Sequence, residues 1–193
     1  MKILLSTPEV DRVLVTRAQS GDRDAFTELV RRHQDRIYGF ALRYLGNPEE
    51  ARDLAQEAFV RIYQGLSAYR GESTFSTWAF VIVRNLCYAR SRHLARELAI
   101  LDGEEGGALH DRLEAQDTNP AIGFLQRDTQ QAIQAAMMEL PEKYRLVIAL
   151  HHFQAMKYEE IAEVLGLPVG TVKTHLFRGK ALLKGVLEKR GLI

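Results

Sequence analysis

Apolar residues recur at three- and four-residue spacing along nearly the whole chain, and no run alternates apolar with polar residues between hairpin turns. This pattern admits one fold class, all-α. A short helix near 10–19 is broken by Gly21-Asp22, with Asp22 placed to cap the next helix. That helix aligns Phe26, Leu29, Val30, Ile37, Phe40, Ala41 and Tyr44 on one face and ends at Gly46. Asn47-Pro48 then supplies a cap and a first-turn proline, with Glu49 and Glu50 near the positive end of the helix dipole. The third helix is expected to bury Leu54, Ala55, Ala58, Ile62 and Leu66, and a fourth runs from about Phe75 to His93 after the loop Tyr69-Arg70-Gly71-Glu72-Ser73.

Four helices enclose a core, so residues 1–95 form a first domain. Residues 96–119 lose the periodicity and collect Gly103, Gly106, Gly107 and an excess of acidic side chains, the composition of a flexible acidic linker. Asn119-Pro120 restarts helical structure, and residues 120–193 form a second small helical domain, punctuated at Leu140-Pro141-Glu142 and Gly166-Leu167-Pro168. The expected architecture is two helical domains on a tether.

Composition excludes several functions. With 193 residues, 46% hydrophobic and 26% charged, the chain can bury a core and is not a disordered one. No stretch approaches the roughly 18 apolar residues of a membrane span, and the run from Trp78 to Val83 is closed by Arg84, so no membrane insertion is expected. Met1-Lys2-Ile3-Leu4-Leu5 meets Glu9 and Asp11 too soon to hold a secretory core, which predicts a cytoplasmic location. The single thiol, Cys87, suits that reducing compartment. His151-His152 lack metal-ligand spacing, because adjacent helical side chains point about 100° apart. No phosphate-cradling loop or nucleophile constellation is present, so no enzyme, catalytic residue, cofactor or metal is expected.

The charge pattern points elsewhere. The 26 basic and 25 acidic side chains nearly cancel, but the chain runs basic, acidic, basic. Arg84, Arg90, Arg92 and Arg96 stand without an acid between 84 and 96, and Lys173, Arg178, Lys180, Lys184, Lys189 and Arg190 dominate the last helix. Such stripes are ordinary solvated helix faces unless a motif accompanies them.

One does. Tyr158-Glu159-Glu160-Ile161-Ala162-Glu163-Val164-Leu165-Gly166-Leu167-Pro168-Val169-Gly170-Thr171-Val172-Lys173 reads as helix, tight turn and second helix. Ile161, Leu165, Val172 and Leu176 would supply the shared core, with Ala162 letting the helices cross closely. Lys173, Thr174 and His175 then face outward where base edges are read, with Arg178 and Lys180 suited to phosphate. A plain helical hairpin with a basic surface is the weaker alternative.

Two further signals are ambiguous when taken alone. The segment from Tyr69 through Ser73, Thr74, Phe75, Ser76, Thr77 and Trp78, with Arg84 and Asn85 beyond, could receive unstacked bases, since stacking contributes roughly 1–3 kcal/mol per base against the few needed for flipping. Phe75 and Trp78 could equally be core anchors. Asp53, Gln56, Glu57, Val60 and Arg61 share the outer face of the third helix, where Glu57 and Arg61 are spaced for an intrahelical ion pair and partner binding is the alternative.

In order and spacing, these motifs resemble the bacterial extracytoplasmic-function (ECF) sigma factors, sigma-70 family members reduced to regions 2 and 4. The resemblance rests on Gly21-Asp22, Ala25-Phe26, Asp53-Leu54-Ala55-Gln56-Glu57-Ala58-Phe59, Phe75-Ser76-Thr77-Trp78 and Arg84-Asn85 in the first domain. In the second it rests on Leu140-Pro141, Tyr158-Glu159-Glu160-Ile161-Ala162 and Val169-Gly170-Thr171-Val172-Lys173. It implies a region 2 four-helix bundle and a region 4 helix-turn-helix. Asp53, Gln56, Glu57, Val60 and Arg61 would then dock core RNA polymerase, whose β′ and β subunits are the implied partners. Tyr69, Arg70, Ser73, Thr74, Phe75, Thr77, Trp78, Arg84 and Asn85 would recognise and melt the minus-ten promoter element. Thr171, Lys173, Thr174, His175, Phe177, Arg178 and Lys180 would meet the minus-thirty-five element as duplex DNA. An anti-sigma factor is implied as regulator.

Three positions depart from the family pattern: Lys157 stands where a hydroxyl usually caps the helix, which predicts a frayed start; His175 occupies a spot often basic or hydroxylic; and Asn85-Leu86-Cys87-Tyr88 is unusually apolar. A stand-alone helix-turn-helix regulator and a pure protein-interaction bundle remain the competing readings.

Overall fold

A computed structural model describes residues 7–101 and 124–193, so the expected linker lies largely outside the described residues. The first unit contains α1 (Thr7–Gln19), α2 (Arg23–Leu45), α3 (Pro48–Gly65), a 3-10 turn (Leu66–Ala68) and α4 (Phe75–Leu101). The second contains α5 (Phe124–Met138), α6 (Glu142–Ile148), a π-helical turn (Ala149–Phe153), α7 (Tyr158–Leu165) and α8 (Val169–Lys189). Helix α4 continues past residue 95 to Leu101, and the expected restart at Asn119-Pro120 lies outside the described residues.

Local chemistry accounts for the helix ends. Asp22 accepts the Ala25 N–H at 3.0 Å and ends α1 through Arg17 at 2.6 Å. The Ala25 hydrogen bond, followed by Arg17, holds the Asp22 carboxyl below the ordinary value. Gly46 closes α2 at φ 77, a left-handed conformation that an L side chain adopts only with strain. Asn47 Oδ1 accepts the N–H groups of Glu49 and Glu50, and Pro48 opens α3 at the position where its missing donor costs nothing.

The stripes fold inward as the periodicity requires. Leu29, Ile37 and Phe40 of α2 meet Leu54, Ala58 and Ile62 of α3 and Phe80 and Val83 of α4, all at most 1% exposed. Phe40 and Phe80 pack edge to face at 5.4 Å. A polar pair is buried with them: Asp11 of α1 bonds His33 Nε2 of α2, and also Arg32 Nε, each at 2.8 Å. Burial raises the Asp11 carboxyl, and the His33 and Arg32 contacts more than offset that and leave it below the ordinary value.

In the second unit α6 and α8 cross closely at Gly179, where a Cβ would stand 3.0 Å from Ile148 Cδ1 and 3.1 Å from Tyr144 Cβ. A branched side chain cannot enter without separating the helices. Gly179→Val is therefore expected to lower the unfolding free energy by about 1–3 kcal/mol, measured by denaturant titration.

Candidate nucleic-acid and polymerase interfaces

Because the apolar stripe of α3 turns inward, Asp53, Gln56, Val60 and Arg61 are exposed on its outer face, with Glu57 half-buried beside them. Arg61 and Glu57 form the expected pair at 3.2 Å, an exposed contact that contributes little stability. The same face carries Tyr63, which the sequence reading missed. Val60 is 55% exposed and Tyr63 54%, and Tyr63 packs edge-on against Phe26 at 4.8 Å. The three-residue step from Val60 to Tyr63 was the available signal.

The loop between α3 and α4 is organised by its own aromatics. Tyr69 stacks obliquely on Trp78 at 5.0 Å, Phe75 contacts Trp78 at 5.9 Å, and the Tyr69 hydroxyl donates to Ser73 O at 2.6 Å. Thr74 Oγ1 accepts the Thr77 N–H at 3.1 Å and so caps α4. Tyr69, Arg70, Glu72, Ser73 and Trp78 line a cavity of about 350 Å³, closed on one side by Glu163 of α7. Burial, then the charges of Asp11 and Glu163, push the Tyr69 phenol upward. Of the residues expected here, Arg70 and Asn85 are exposed and Tyr69, Ser73, Thr74, Trp78 and Arg84 half-buried, while Phe75 and Thr77 are buried.

The helix-turn-helix forms as read. Gly166 takes the left-handed conformation at φ 65, and Leu167 N–H returns to Ala162 O at 3.0 Å. Ile161, Leu165, Val172 and Leu176 are buried between α7 and α8. Lys173, Thr174, Phe177, Arg178 and Lys180 are exposed along the front of α8, Phe177 by 76%, and Thr171 is half-buried. His175 differs from the expected outward position. Lying three residues after Val172 and one before Leu176, it flanks the buried stripe and packs edge-on against Tyr144 at 5.5 Å. The start of α7 also differs from expectation. Glu160 Oε2 accepts the Lys157 backbone N–H at 2.9 Å, supplying half of a reciprocal cap without a hydroxyl.

The two units share a seam. Arg36 of α2 donates to Gln154 O at 2.9 Å and to its Oε1 at 3.2 Å, and Gln154 Nε2 donates back to Arg36 O at 3.1 Å. Gln134 Nε2 donates to Leu42 O, and the Tyr44 hydroxyl to Glu142. Arg43 lies over the Phe153 ring at 3.8 Å. Across α4 and α7, Thr77 Oγ1 donates to Glu160 Oε1 at 3.3 Å and Arg84 Nη1 to Leu165 O at 3.4 Å. Thr77 is 0% exposed, with Glu160 of α7 bonded to its hydroxyl. No cue local in sequence pairs residues so far apart, which is why Glu160, Glu163, Arg36 and Gln154 were not anticipated.

Comparison with known proteins agrees with both sets of motifs. Residues 29–97 match the family described as Sigma-70 region 2, and residues 130–183 match Sigma-70, region 4. The chain is 36% identical over 180 residues to the ECF RNA polymerase sigma factor SigW of Bacillus subtilis, covering 90% of this chain and 95% of that protein. It is 34% identical over 192 residues to the RNA polymerase sigma-H factor of Pseudomonas aeruginosa, covering 94% and 96%. Among solved structures, CnrH in complex with the cytosolic domain of CnrY is similar at TM-score 0.69 and 27% identity, covering 93% of this chain and 98% of that one.

Two measurements test this geometry. Burial first, then Lys143 and Arg178, depress His175 below the ordinary 6.5. Its imidazole should titrate below that value by NMR, and as pH falls below 6.5 the unfolded chain takes up the proton first, so this group withdraws stability. Arg36→Ala leaves Gln154 Oε1 without its donor, at a cost of about 1–3 kcal/mol. Small-angle scattering should then show a larger radius of gyration.

Proposed function

Because the chain belongs to the ECF sigma factors of the sigma-70 family, we propose that it binds core RNA polymerase and directs promoter-specific initiation of transcription, in an envelope or other stress response under anti-sigma control. The observation that carries this reading is the front of α8. There Lys173, Thr174, Phe177, Arg178 and Lys180 stand exposed behind a glycine turn, at the position from which a helix-turn-helix reads a major groove. The minus-thirty-five element would meet these residues and Thr171 as duplex. His175, turned toward Tyr144, would contribute from the edge.

In the proposed division of labour, residues 1–95 hold the polymerase and the minus-ten element, 96–119 connect, and 120–193 hold the minus-thirty-five element. The outer face of α3 suits polymerase docking: Asp53 and Glu57 supply charge, Gln56 and Arg61 supply hydrogen bonds, and Val60 supplies apolar area. Tyr69, Arg70, Ser73, Thr74 and Trp78, with Phe75, Thr77, Arg84 and Asn85 behind them, would take unstacked minus-ten bases. Thr77 and Arg84 require the seam with α7 to part, so polymerase and promoter would bind an opened chain. CnrH was solved with a partner's cytosolic domain. By that likeness, the present chain would be held inactive by an anti-sigma factor.

Such a factor selects start sites by binding alone, so no catalytic residue or cofactor of its own is proposed. Among the described residues no helix is long and apolar enough to cross a membrane, and action on polymerase and DNA would be cytoplasmic.

Reconstituted initiation tests the reading and separates it from a stand-alone regulator. Replacing Asp53 and Glu57 together with Ala should weaken core-polymerase affinity at least roughly ten-fold while sparing α8. Unchanged affinity in the double variant would remove the polymerase from the proposal.

A further inference from the structure

We propose that α1 is the strut that holds the minus-ten loop in its reading geometry, with Gln19 as the positioning residue. This rests on the reading that residues 69–74 meet the minus-ten element. Gln19 lies outside residues 29–97, which carry the region 2 match. Its side chain crosses to the loop and spends both amide hydrogens there. Nε2 donates to Leu66 O at 2.9 Å and to Tyr69 O at 2.9 Å. A primary amide has two N–H donors, so this group is fully committed to two loop carbonyls.

Tyr69 is the wall of the loop cavity, and its ring, hydroxyl and carbonyl are each held. The ring rests on Trp78, the hydroxyl donates to Ser73 O, and the carbonyl accepts from Gln19. The loop's exit is tied to the same helix. His33 packs edge-on against Phe75 at 5.1 Å while its Nε2 is held by Asp11 of α1, and Asp11 also takes Arg32. One helix therefore anchors the backbone where the loop begins and the ring where it ends. Loops otherwise sample many conformations, and a cavity built from a loop is lost when its walls drift.

Gln19 is solvent-exposed, so shortening it opens no cavity in the core. This separates positioning from folding. Gln19→Ala removes both donors, Gln19→Glu sets a carboxylate against two carbonyl oxygens, and Gln19→Arg keeps paired N–H donors. The full chain with core polymerase is assayed on a promoter mapped from the wild-type holoenzyme's own RNA 5′ ends. Permanganate footprinting reads the open complex on the cognate minus-ten element and on a base-substituted one.

Loss of these two hydrogen bonds, one exposed and one part-buried, should reduce open complex by roughly three- to ten-fold in Gln19→Ala and Gln19→Glu and narrow the ratio between the two promoters. Gln19→Arg should retain most of both. Core-polymerase affinity should stay unchanged, and the thermal midpoint should fall by no more than the few degrees that two lost hydrogen bonds account for. An open complex and base ratio equal to wild type in Gln19→Glu would overturn the strut, as would a parallel loss of polymerase affinity. Backbone amide exchange over 66–74 in the free chain reads the same contacts without DNA: faster exchange in Gln19→Glu is expected, and equal exchange refutes the role. If the wild-type holoenzyme opens no DNA, the promoter reading fails, and the exchange result still decides whether α1 holds the loop.

Discussion

One continuous apolar core runs through both units, from Leu14 on α1 to Leu176 on α8, and everything else in the molecule is arranged by it. Helices of eight to some twenty residues are marginal in water unless an apolar face is covered, so each stripe must find another. In the first unit α2 is the central element, with α3 and α4 laid against Phe40 and Ile37. In the second, Ile148 and Tyr144 of α6 receive α8 at Gly179. The two units also touch where Met138 packs over Gly46, a position left without a side chain for the separate purpose of ending α2.

The covered stripes determine what remains outside. On α3 they leave a polar face with Val60 and Tyr63 set into it; on α8 they leave a cationic front with Phe177 projecting from it. Both are surfaces of mixed chemistry, suited to a partner more than to water alone. The loop before α4 is different in kind. It is held from behind, by Gln19 on its carbonyls and His33 on Phe75, and its cavity is bordered by Glu163 of α7.

The seam there is largely polar at its rim. Thr77 to Glu160 and Arg84 to Leu165 O are single hydrogen bonds at 3.3 and 3.4 Å, whereas Arg36 and Gln154 exchange three. Net hydrogen-bond contributions are about 0.5–1.5 kcal/mol each, so these two bonds are a small part of what holds α7 to α4 beside the apolar core shared by both units. Two acids of α7 face this region, Glu160 on the Thr77 hydroxyl and Glu163 beside Arg70 at the loop cavity.

The sequence by itself determined the all-helical class, the caps at Asp22, Gly46, Asn47-Pro48 and Gly166, the buried stripes of α2, α3 and α8, and the helix-turn-helix with its outward cations. These features are local: a cap acts across three residues and a stripe repeats every turn, so a short window contains the whole cause. The tertiary structure alone decided that Asp11 meets His33, that Gln19 reaches Leu66 and Tyr69, that Glu160 covers Thr77, and that Arg36 clasps Gln154. These partners lie 22 to 118 residues apart, and each pairing depends on which helix faces cross. His175 shows the same limit at closer range, since its place at the edge of a buried stripe could be read, but the Tyr144 ring beside it came from another helix. Periodicity says which side of a helix turns inward, while packing chooses the neighbour, because the apolar drive is non-directional and shape and hydrogen-bond geometry select among the ways of satisfying it.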